Sequence, residues 1–320
     1  MSQTGCDRCD EAAVIHVAYA GQHLCEAHFF ESVDRRVRRR IRKDELYDGT
    51  ECTWLIGISG GKDSAVLASI LCDTFGENPT VDLKGICVHE GIEGYRDESL
   101  DAARQLIEQL DIELIESSYD ARYDLKMDEV AVDDPLGMAP CAYCGVFRRD
   151  TLEAYAADLE ADLLLTGHNL DDEAQTALMN LFEGDLFQMA KHHDASLAPL
   201  PDRAEQDAFV PRAKPLREIP EKEVALYAHL KDLPVHMATC PHAERSYRAE
   251  IQRVLHQLET NHPGTRHSIM AGYEELAALA STSYRAEEDA PMATCEACGS
   301  PTRGTRCRTC ELVEAVGGTR

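Results

Sequence analysis

Apolar residues fall into short runs and helical stripes that alternate along the middle of the chain. Strand-like runs occupy residues 53–59, 83–89, 112–115 and 162–166. Between them the apolar spacing lengthens to three and four residues: Val66, Leu67, Ile70 and Leu71; then Leu100, Ala103, Ile107 and Leu110; then Leu152, Tyr155, Ala156 and Leu159. Further helical stripes run through Val224, Ala225 and Leu230, and through Tyr247, Ile251, Val254 and Leu258. Strands separated by helix-length segments pair in parallel through right-handed crossovers. The pattern therefore predicts an α/β domain over residues 50–285, a parallel sheet with helices on both faces. In such sheets ligands sit beyond the carboxyl ends of the strands.

The ends follow other patterns. Residues 1–34 hold two short apolar alternations, Val14-Ile15-His16-Val17 and Gln22-His23-Leu24, around Gly21, which predicts a small hairpin. Residues 35–49 open with Arg-Arg-Val-Arg-Arg-Arg-Ile-Arg-Lys, seven cations in nine residues, with Val37 and Ile41 forming one thin apolar stripe. This predicts a basic linker helix. Residues 286–320 begin as an acidic linker over 286–294 and end in a tail with too few apolar residues for a core of its own.

Composition sharpens this division. The 320 residues include 58 acidic and 32 basic side chains, net charge −26, and only eight of the cations are lysine. Such an excess of carboxylates matches the surface of a protein from a salt-in halophile, where salt screens the self-repulsion. An acidic balance ordinarily argues against nucleic acid, but a solvent adaptation spread over the surface does not. The concentration of cations in residues 35–43 then marks a polyanion site. No apolar run approaches the length of a membrane span, and the start Met-Ser-Gln-Thr-Gly-Cys has no signal-peptide character, so a cytoplasmic protein with no membrane partner is expected.

Thirteen cysteines in such a chain point to metal rather than disulfides. Cys295, Cys298, Cys307 and Cys310 form two tight knuckles separated by eight residues, suited to tetrahedral zinc, and a segment this short needs the metal to fold. Cys6, Cys9, Cys25 and His28 make a Cys3His set by the same logic. His23 is the alternative fourth ligand, but the repeated two-residue spacing favours His28. Cys141 and Cys144 form a third pair whose nearest unused partner is Cys240. Three thiols leave a site with an open position. Three-thiolate ligation of a [4Fe–4S] cluster would leave one iron free; alternatively, Cys141 or Cys144 is a nucleophile working with Cys240 by persulfide or disulfide chemistry. Cys52, Cys72 and Cys87 lie in apolar patterns and read as core.

The first strand breaks into Ser59-Gly60-Gly61-Lys62-Asp63-Ser64. The adjacent glycines exclude the ordinary phosphate loop, which needs four residues between its first glycine and Gly-Lys. A Gly-Gly turn from strand to helix still makes an anion site, with Lys62 adding charge, Ser59 and Ser64 hydroxyls, and Asp63 a cap or a magnesium contact. Gly167-His168-Asn169-Leu170-Asp171-Asp172-Glu173 follows the last strand; its glycine allows close approach of a nucleotide, and its aspartates cap a helix or hold Mg2+.

The Ser-Gly-Gly-Lys-Asp-Ser string resembles the PP-loop of ATP pyrophosphatases, which split ATP into AMP and pyrophosphate. With the cysteine sets and the Gly-His-Asn motif, nearly the whole chain resembles the PP-loop tRNA 2-thiouridine synthetases. These are the archaeal and eukaryotic cytosolic tRNA 2-thiolation proteins, related to the tRNA-5-methyluridine 2-sulfurtransferases. The resemblance implies the adenine nucleotide alpha-hydrolase-like fold flanked by N- and C-terminal zinc fingers. It also implies adenylation of a uridine C2 oxygen followed by displacement of AMP by sulfur. Ser59, Gly60, Gly61, Lys62, Asp63 and Ser64 would hold the ATP phosphates, and the backbone around Val88 and His89, with Gly167, the adenosine. Asp172 matches a family aspartate assigned to catalysis, and Cys141, Cys144 and Cys240 match the cluster cysteines. Arg148 stands where the family carries a lysine, keeping the charge but not its point-like form.

The implied cofactors are ATP, Mg2+, two Zn2+ and a [4Fe–4S] cluster. The implied partners are tRNA, a ubiquitin-like protein with a C-terminal thiocarboxylate as sulfur donor, and a second copy of the chain as a homodimer. Wobble uridine 34 of the Lys, Glu and Gln tRNAs is the preferred target, with position 54 second. A non-thiolating PP-loop ligase does not need the third cysteine set, and a zinc-finger RNA-binding protein does not need an intact loop.

Overall fold

The computed structural model describes residues 4–196, 209–243, 247–288 and 293–320. At its start, β1 (Ile15–Val17) and β2 (Gln22–Leu24) form the expected hairpin, with Ile15 opposite Leu24 and Val17 opposite Gln22. Helix α1 (Glu26–Lys43) begins immediately afterwards, with Cys25 as its N-cap, so the metal knuckle and the basic run share one continuous helix rather than meeting at residue 35. Phe29, Val33, Val37 and Ile41 form its buried stripe at helical spacing. Part of the basic run is structural. Arg36 pairs with Glu223 and donates to the Tyr19 hydroxyl at 2.7 Å, and Arg40 is buried against Asp44 at 2.6 Å. Arg35, Arg39, Arg42 and Lys43 are exposed.

The central sheet contains β3 (Cys52–Gly57), β4 (Val81–His89), β5 (Glu113–Ser118), β6 (Leu163–Leu165) and β7 (Arg212–Ala213), all parallel, in the order β5-β4-β3-β6-β7. Neighbouring side chains on a strand point to opposite faces, and both faces are covered. Trp54, Ile56, Leu163 and Leu165 pack under α1, α2 (Lys62–Phe75), α3 (Tyr95–Leu110) and α9 (Glu221–Leu230). On the other face, Leu55, Ile86, Val88 and Leu164 pack with Tyr119 and Tyr123 of α4 (Tyr119–Tyr123), with α5 (Met127–Val132) and with α6 (Pro140–Asp158). Strand order reverses between β3 and β6, so the open crevice of the sheet lies beyond their carboxyl ends, where the Gly-Gly turn and the Gly-His-Asn segment emerge.

A third apolar cluster joins α7 (Leu170–Glu183), α8 (Leu186–Ser196), α10 (Tyr247–Asn261) and α11 (Thr265–Glu288). In α10 the buried residues are Ile251 and Leu255, whereas Val254 and Leu258 are exposed, so the stripe read from the sequence turns only partly inward. The acidic linker expected over 286–294 falls partly on 289–292, outside the described residues. The tail carries β8 (Ala293–Thr294), β9 (Pro301–Thr302) and α12 (Arg308–Ala315), and Leu312 and Val313 of α12 enter the core beside α6. Among the described residues no helix is long and apolar enough to cross a membrane.

Candidate active site

After β3 the chain runs through Ile58, Ser59, Gly60 and Gly61 into α2. Gly60 has φ +79°, and a β-carbon there would stand 2.0 Å from the Ser99 carbonyl oxygen, so only glycine lets the turn pass α3. The turn is closed by its own serines. The Ser59 N–H donates to Ser64 Oγ at 3.0 Å, the two hydroxyls lie 3.1 Å apart, and Ser64 Oγ donates to the Gly61 carbonyl at 3.0 Å. The first N–H groups of α2 have no partners within the helix, and the helix dipole favours an anion there. Lys62 Nζ lies 3.1 Å from Asp63 Oδ2 and 2.9 Å from Glu221 Oε1. Burial opposes its charge, but those two carboxylates hold its pKa above the ordinary lysine value.

The loop after β6 packs onto this turn. Gly167 sits against the backbone of Asp63 and Ser64. Asn169 Nδ2 donates to Asp63 Oδ1 at 2.8 Å, while its Oδ1 caps α7 by accepting from the N–H groups of Asp171 at 2.9 Å and Asp172 at 3.2 Å. Asp172 completes the capping box by accepting the Asn169 N–H at 3.1 Å. Asp171 is engaged structurally, taking the Glu221 N–H at 2.9 Å and pairing with Arg266 at 2.8 Å. Burial raises the pKa of Asp63, Asp171 and Asp172 alike. His168 is exposed yet ringed by chain and cations. Desolvation by the surrounding chain, then Lys214, lower its imidazole from the ordinary value, an effect that its exposure to solvent moderates. Its Nδ1 lies 2.9 Å from Thr166 Oγ1.

Cys141 and Cys144 occupy the first turns of α6, three residues apart and on one face. Cys240 arrives on the loop after α9, which is tied to the phosphate turn where the His236 N–H donates to the Gly60 carbonyl at 2.8 Å. Cys141 Sγ lies 3.8 Å from the carbonyl of His242, two residues beyond Cys240, and Cys144 and Cys240 pack against the same apolar cluster, which brings the three cysteines to one side of the sheet. Burial pushes the Cys240 thiol up. Cys144 is the most elaborated of them. Arg148 Nη2 donates to its Sγ at 3.2 Å, and the buried Tyr119 hydroxyl donates to its carbonyl at 2.7 Å with Sγ 3.6 Å away. Arg148 is held in turn by Glu90, at 2.9 Å from Nε and 2.7 Å from Nη2 to Oε1.

Glu90, Arg96, Tyr119 and Glu221 escaped the sequence reading as site residues, and Asn169 stood in the Gly-His-Asn motif without a role of its own. Glu90 had one usable signal, a charge directly after an apolar strand at its carboxyl end; the others owe their place to long-range pairing. Of the residues expected near adenosine, Val88 uses its carbonyl to accept from Arg96 at 2.7 Å, and His89 Nε2 lies 3.2 Å from Asp97.

The terminal cysteine sets form two compact groups, each with its ligand atoms within 4.8 Å of one another: Cys6, Cys9, Cys25 and His28, and Cys295, Cys298, Cys307 and Cys310. Tetrahedral zinc with Zn–S of about 2.3 Å gives sulfur–sulfur edges of about 3.8 Å. The Cys9–Cys25 and Cys298–Cys307 separations are 3.6 and 3.7 Å. His28 Nδ1 lies 3.2 to 3.5 Å from the three N-terminal thiols, whereas His23 stacks on His16. The Cys307 N–H leads the donors that hold the Cys295 thiol down to about 6, which favours the thiolate a metal needs. Cys141, Cys144 and Cys240 do not close to that separation. Three thiols are one ligand short of a closed zinc site and match a cluster that keeps one iron without a protein ligand.

Comparison with known proteins places these groups in context. Residues 32–256 match the PP-loop domain family, and residues 6–30 match the N-terminal LIM domain of the 2-thiouridine synthetase TtuA. The chain is 58% identical to the tRNA 2-thiolation protein NcsA of Haloferax volcanii, over 97% of this chain and 98% of that one. It is 34% identical to the cytoplasmic tRNA 2-thiolation protein 1 of Aspergillus niger, over 100% and 91% of the two chains. Among solved structures, the U34-tRNA thiolase NcsA from Methanococcus maripaludis with its [4Fe-4S] cluster superposes with a TM-score of 0.81 at 33% identity, covering 98% of this chain and 97% of that one.

Proposed function

Because the chain belongs to the PP-loop family of tRNA 2-thiolation proteins, we propose that it catalyses ATP-dependent 2-thiolation of tRNA uridine, with wobble uridine 34 as the target. One observation carries this reading beyond family membership. The Ser59–Ser64 turn and the three-cysteine group meet at one end of the sheet, and the loop bearing Cys240 hydrogen-bonds to the turn itself at Gly60. This link supports a reading in which activation and sulfur delivery work side by side at the same end of the sheet.

In the first half-reaction the uridine C2 oxygen attacks the α-phosphorus of ATP, and pyrophosphate leaves. Uridine C2–O is a poor leaving group, and the adenylate makes it a good one. The turn, the start of α2 and Lys62 bind the phosphates, with Lys62 offsetting the developing charge; Asp63 or Asp172 would hold Mg2+, which when bound supplies further positive charge. In the second half, hydrosulfide sulfur adds to C2, loses its proton and expels AMP, leaving the C2 thiocarbonyl. The balance is uridine, ATP and hydrosulfide to thiouridine, AMP and pyrophosphate, with no net redox change. Cys141, Cys144 and Cys240 would hold a [4Fe–4S] cluster, which when bound supplies an iron without a protein ligand to receive exogenous sulfur. Arg148 places a fixed cation beside Cys144.

The terminal groups would each hold one structural Zn2+. Exposed Arg35, Arg39, Arg42 and Lys43 on α1 present the phosphate-binding face for tRNA. A thiocarboxylated ubiquitin-like protein as sulfur donor and a homodimer complete the proposal. The test is mass spectrometry of tRNA nucleosides from a deletion strain. Loss of 2-thiouridine at position 34 supports the reading, loss only at position 54 moves the target, and survival of both ends it. Anaerobic purification with iron and sulfide analysis separates the cluster from a persulfide route.

A further inference from the structure

We propose that Glu90 is a positioning residue that joins the adenylating turn to the sulfur-bearing cysteine pair, by holding Arg96 against the turn and Arg148 against Cys144. Glu90 follows β4 at the carboxyl end of the sheet and is 2% exposed. Its two oxygens serve different guanidinium groups. Oε2 pairs with Arg96 Nε, and Oε1 takes both Nε and Nη2 of Arg148.

Each arginine reaches onward. Arg96, itself 5% exposed, donates from Nη1 to the Ser59 carbonyl at 3.0 Å and from Nη2 to the Val88 carbonyl at 2.7 Å. Arg148 donates from Nη2 to Cys144 Sγ at 3.2 Å. A continuous line of polar contacts thus runs from the first residue of the phosphate turn to a thiol of the sulfur site: hydrogen bonds at either end, joined in the middle by the buried Glu90–Arg96 ion pair, whose facing atoms make no hydrogen bond.

A purely structural need would stop at one arginine. A buried carboxylate requires a counter-ion, and Arg96, buried beside it, supplies that. Arg148 is different: its side chain is 50% exposed and reaches Cys144 Sγ. It is not needed to give the carboxylate a counter-ion, since Arg96 already faces Glu90, yet this side chain is gripped at two nitrogens. Because the guanidinium is planar with its donors in a fixed fork, anchoring Nε and Nη2 on Oε1 fixes the plane of the group and aims it at Cys144. A lysine ammonium at 148 could not be aimed by the same carboxylate. Glu90 thereby sets the place of the cation in the sulfur half while its other oxygen steadies the turn in the ATP half.

This inference rests on the thiolation reading, and the experiment separates the two. Full-length wild type, Glu90→Gln, Glu90→Asp, Arg148→Ala and the Glu90→Gln/Arg148→Ala double variant are purified anaerobically. Each is checked for folding by circular dichroism and for iron content, then assayed for thiolation of tRNA with ATP and sulfide. Wild-type protein that forms no thiouridine ends the thiolation reading itself.

With active wild type, Glu90→Gln should lower kcat for thiolation tenfold or more at unchanged iron content. Glu90→Asp should recover part of that loss, and the double variant should be no slower than Arg148→Ala alone. The electron paramagnetic resonance spectrum of the reduced Glu90→Gln protein should also shift, since hydrogen bonds to the sulfurs tune such a cluster. A Glu90→Gln protein within twofold of wild type overturns the inference. So does a double variant whose loss equals the product of the two single losses, because Glu90 would then not act through Arg148. If Glu90→Gln does not fold, the Glu90→Asp/Arg148→Ala cycle gives the same discrimination.

Discussion

Gly167 lies so close to Asp63 that a β-carbon on it would stand 2.7 Å from the Asp63 carbonyl carbon and 2.8 Å from its oxygen. Both contacts are backbone, at the start of the helix that carries the phosphate turn, so neither partner can rotate away. Gly167→Ala should therefore push α2 and its turn apart from the β6 loop, at a cost of about 1–3 kcal/mol for overpacking. The expected signature is an ATP affinity at least tenfold weaker, measured by calorimetry with a non-hydrolysable analogue, alongside a lowered melting temperature. Unchanged affinity in the folded variant would contradict the close packing.

His168 gives a pH dependence with a definite sign. Its folded-state value of about 4 lies below the ordinary 6.5, so the unfolded chain takes up the proton first as pH falls. The residue's contribution to stability is complete above about pH 6.5 and is lost as pH falls below it, and because His168 is exposed, solvent screening keeps that contribution small. Denaturant unfolding across that window, at fixed salt, should show a shallower fall in stability for His168→Asn than for wild type. Equal slopes would mean the imidazole is not held neutral.

Arg36 and Arg42, six residues apart on α1, should fail differently. Arg36 is 15% exposed and pairs with Glu223, which is 3% exposed. Arg36→Ala leaves that carboxylate buried without its counter-ion and should cost about 3–5 kcal/mol of stability. Arg42→Ala should leave the melting temperature alone, weaken tRNA binding, and lower the slope of log affinity against log salt by about one. Fluorescence titrations at several salt concentrations read the second effect. A stable Arg36→Ala protein, or a salt slope indifferent to Arg42, would reverse the division between structural and RNA-facing cations.

Two zinc ions per chain are expected by elemental analysis of full-length protein. Cys9→Ala and Cys298→Ala should each lower the count to one. Loss at the C-terminal group should also loosen α6, because Leu312 and Val313 of α12 pack in the same core as Tyr143 and Phe147. Faster amide exchange in α6 of Cys298→Ala is the observable; exchange unchanged at full zinc loss would show that the knuckle does not support the helix.

With a net charge of −26, the melting temperature should climb as potassium chloride rises from dilute to molar, since screening relieves self-repulsion. A flat dependence would show that the carboxylates are not a salt adaptation.

How far the sequence speaks for the structure can be followed strand by strand. The runs at 53–59 and 83–89 correspond to β3 and β4 because central strands are buried on both faces and so mostly apolar, with Asp82 and Lys84 at the start of β4 the exception. The run at 112–115 stops short because β5 is an edge strand, and its far end, Glu116, Ser117 and Ser118, is polar. The two-residue β7 left no pattern to find. At the site, the glycines, serines and cysteines were legible because their chemistry is written in local spacing. Glu90 and Arg96 were not, since their roles come from partners dozens of residues away or on another element.

Helix α1 begins at the capping Cys25 of the N-terminal metal knuckle and ends inside the nucleotide domain. Its 18 residues make a rod of about 27 Å at 1.5 Å per residue. A finger on a flexible tether could grip a tRNA at many distances from the reaction centre. This one is fixed to the domain along the whole helix, because Phe29, Val33, Val37 and Ile41 are all buried in the main core, so the knuckle keeps one set distance from the phosphate turn.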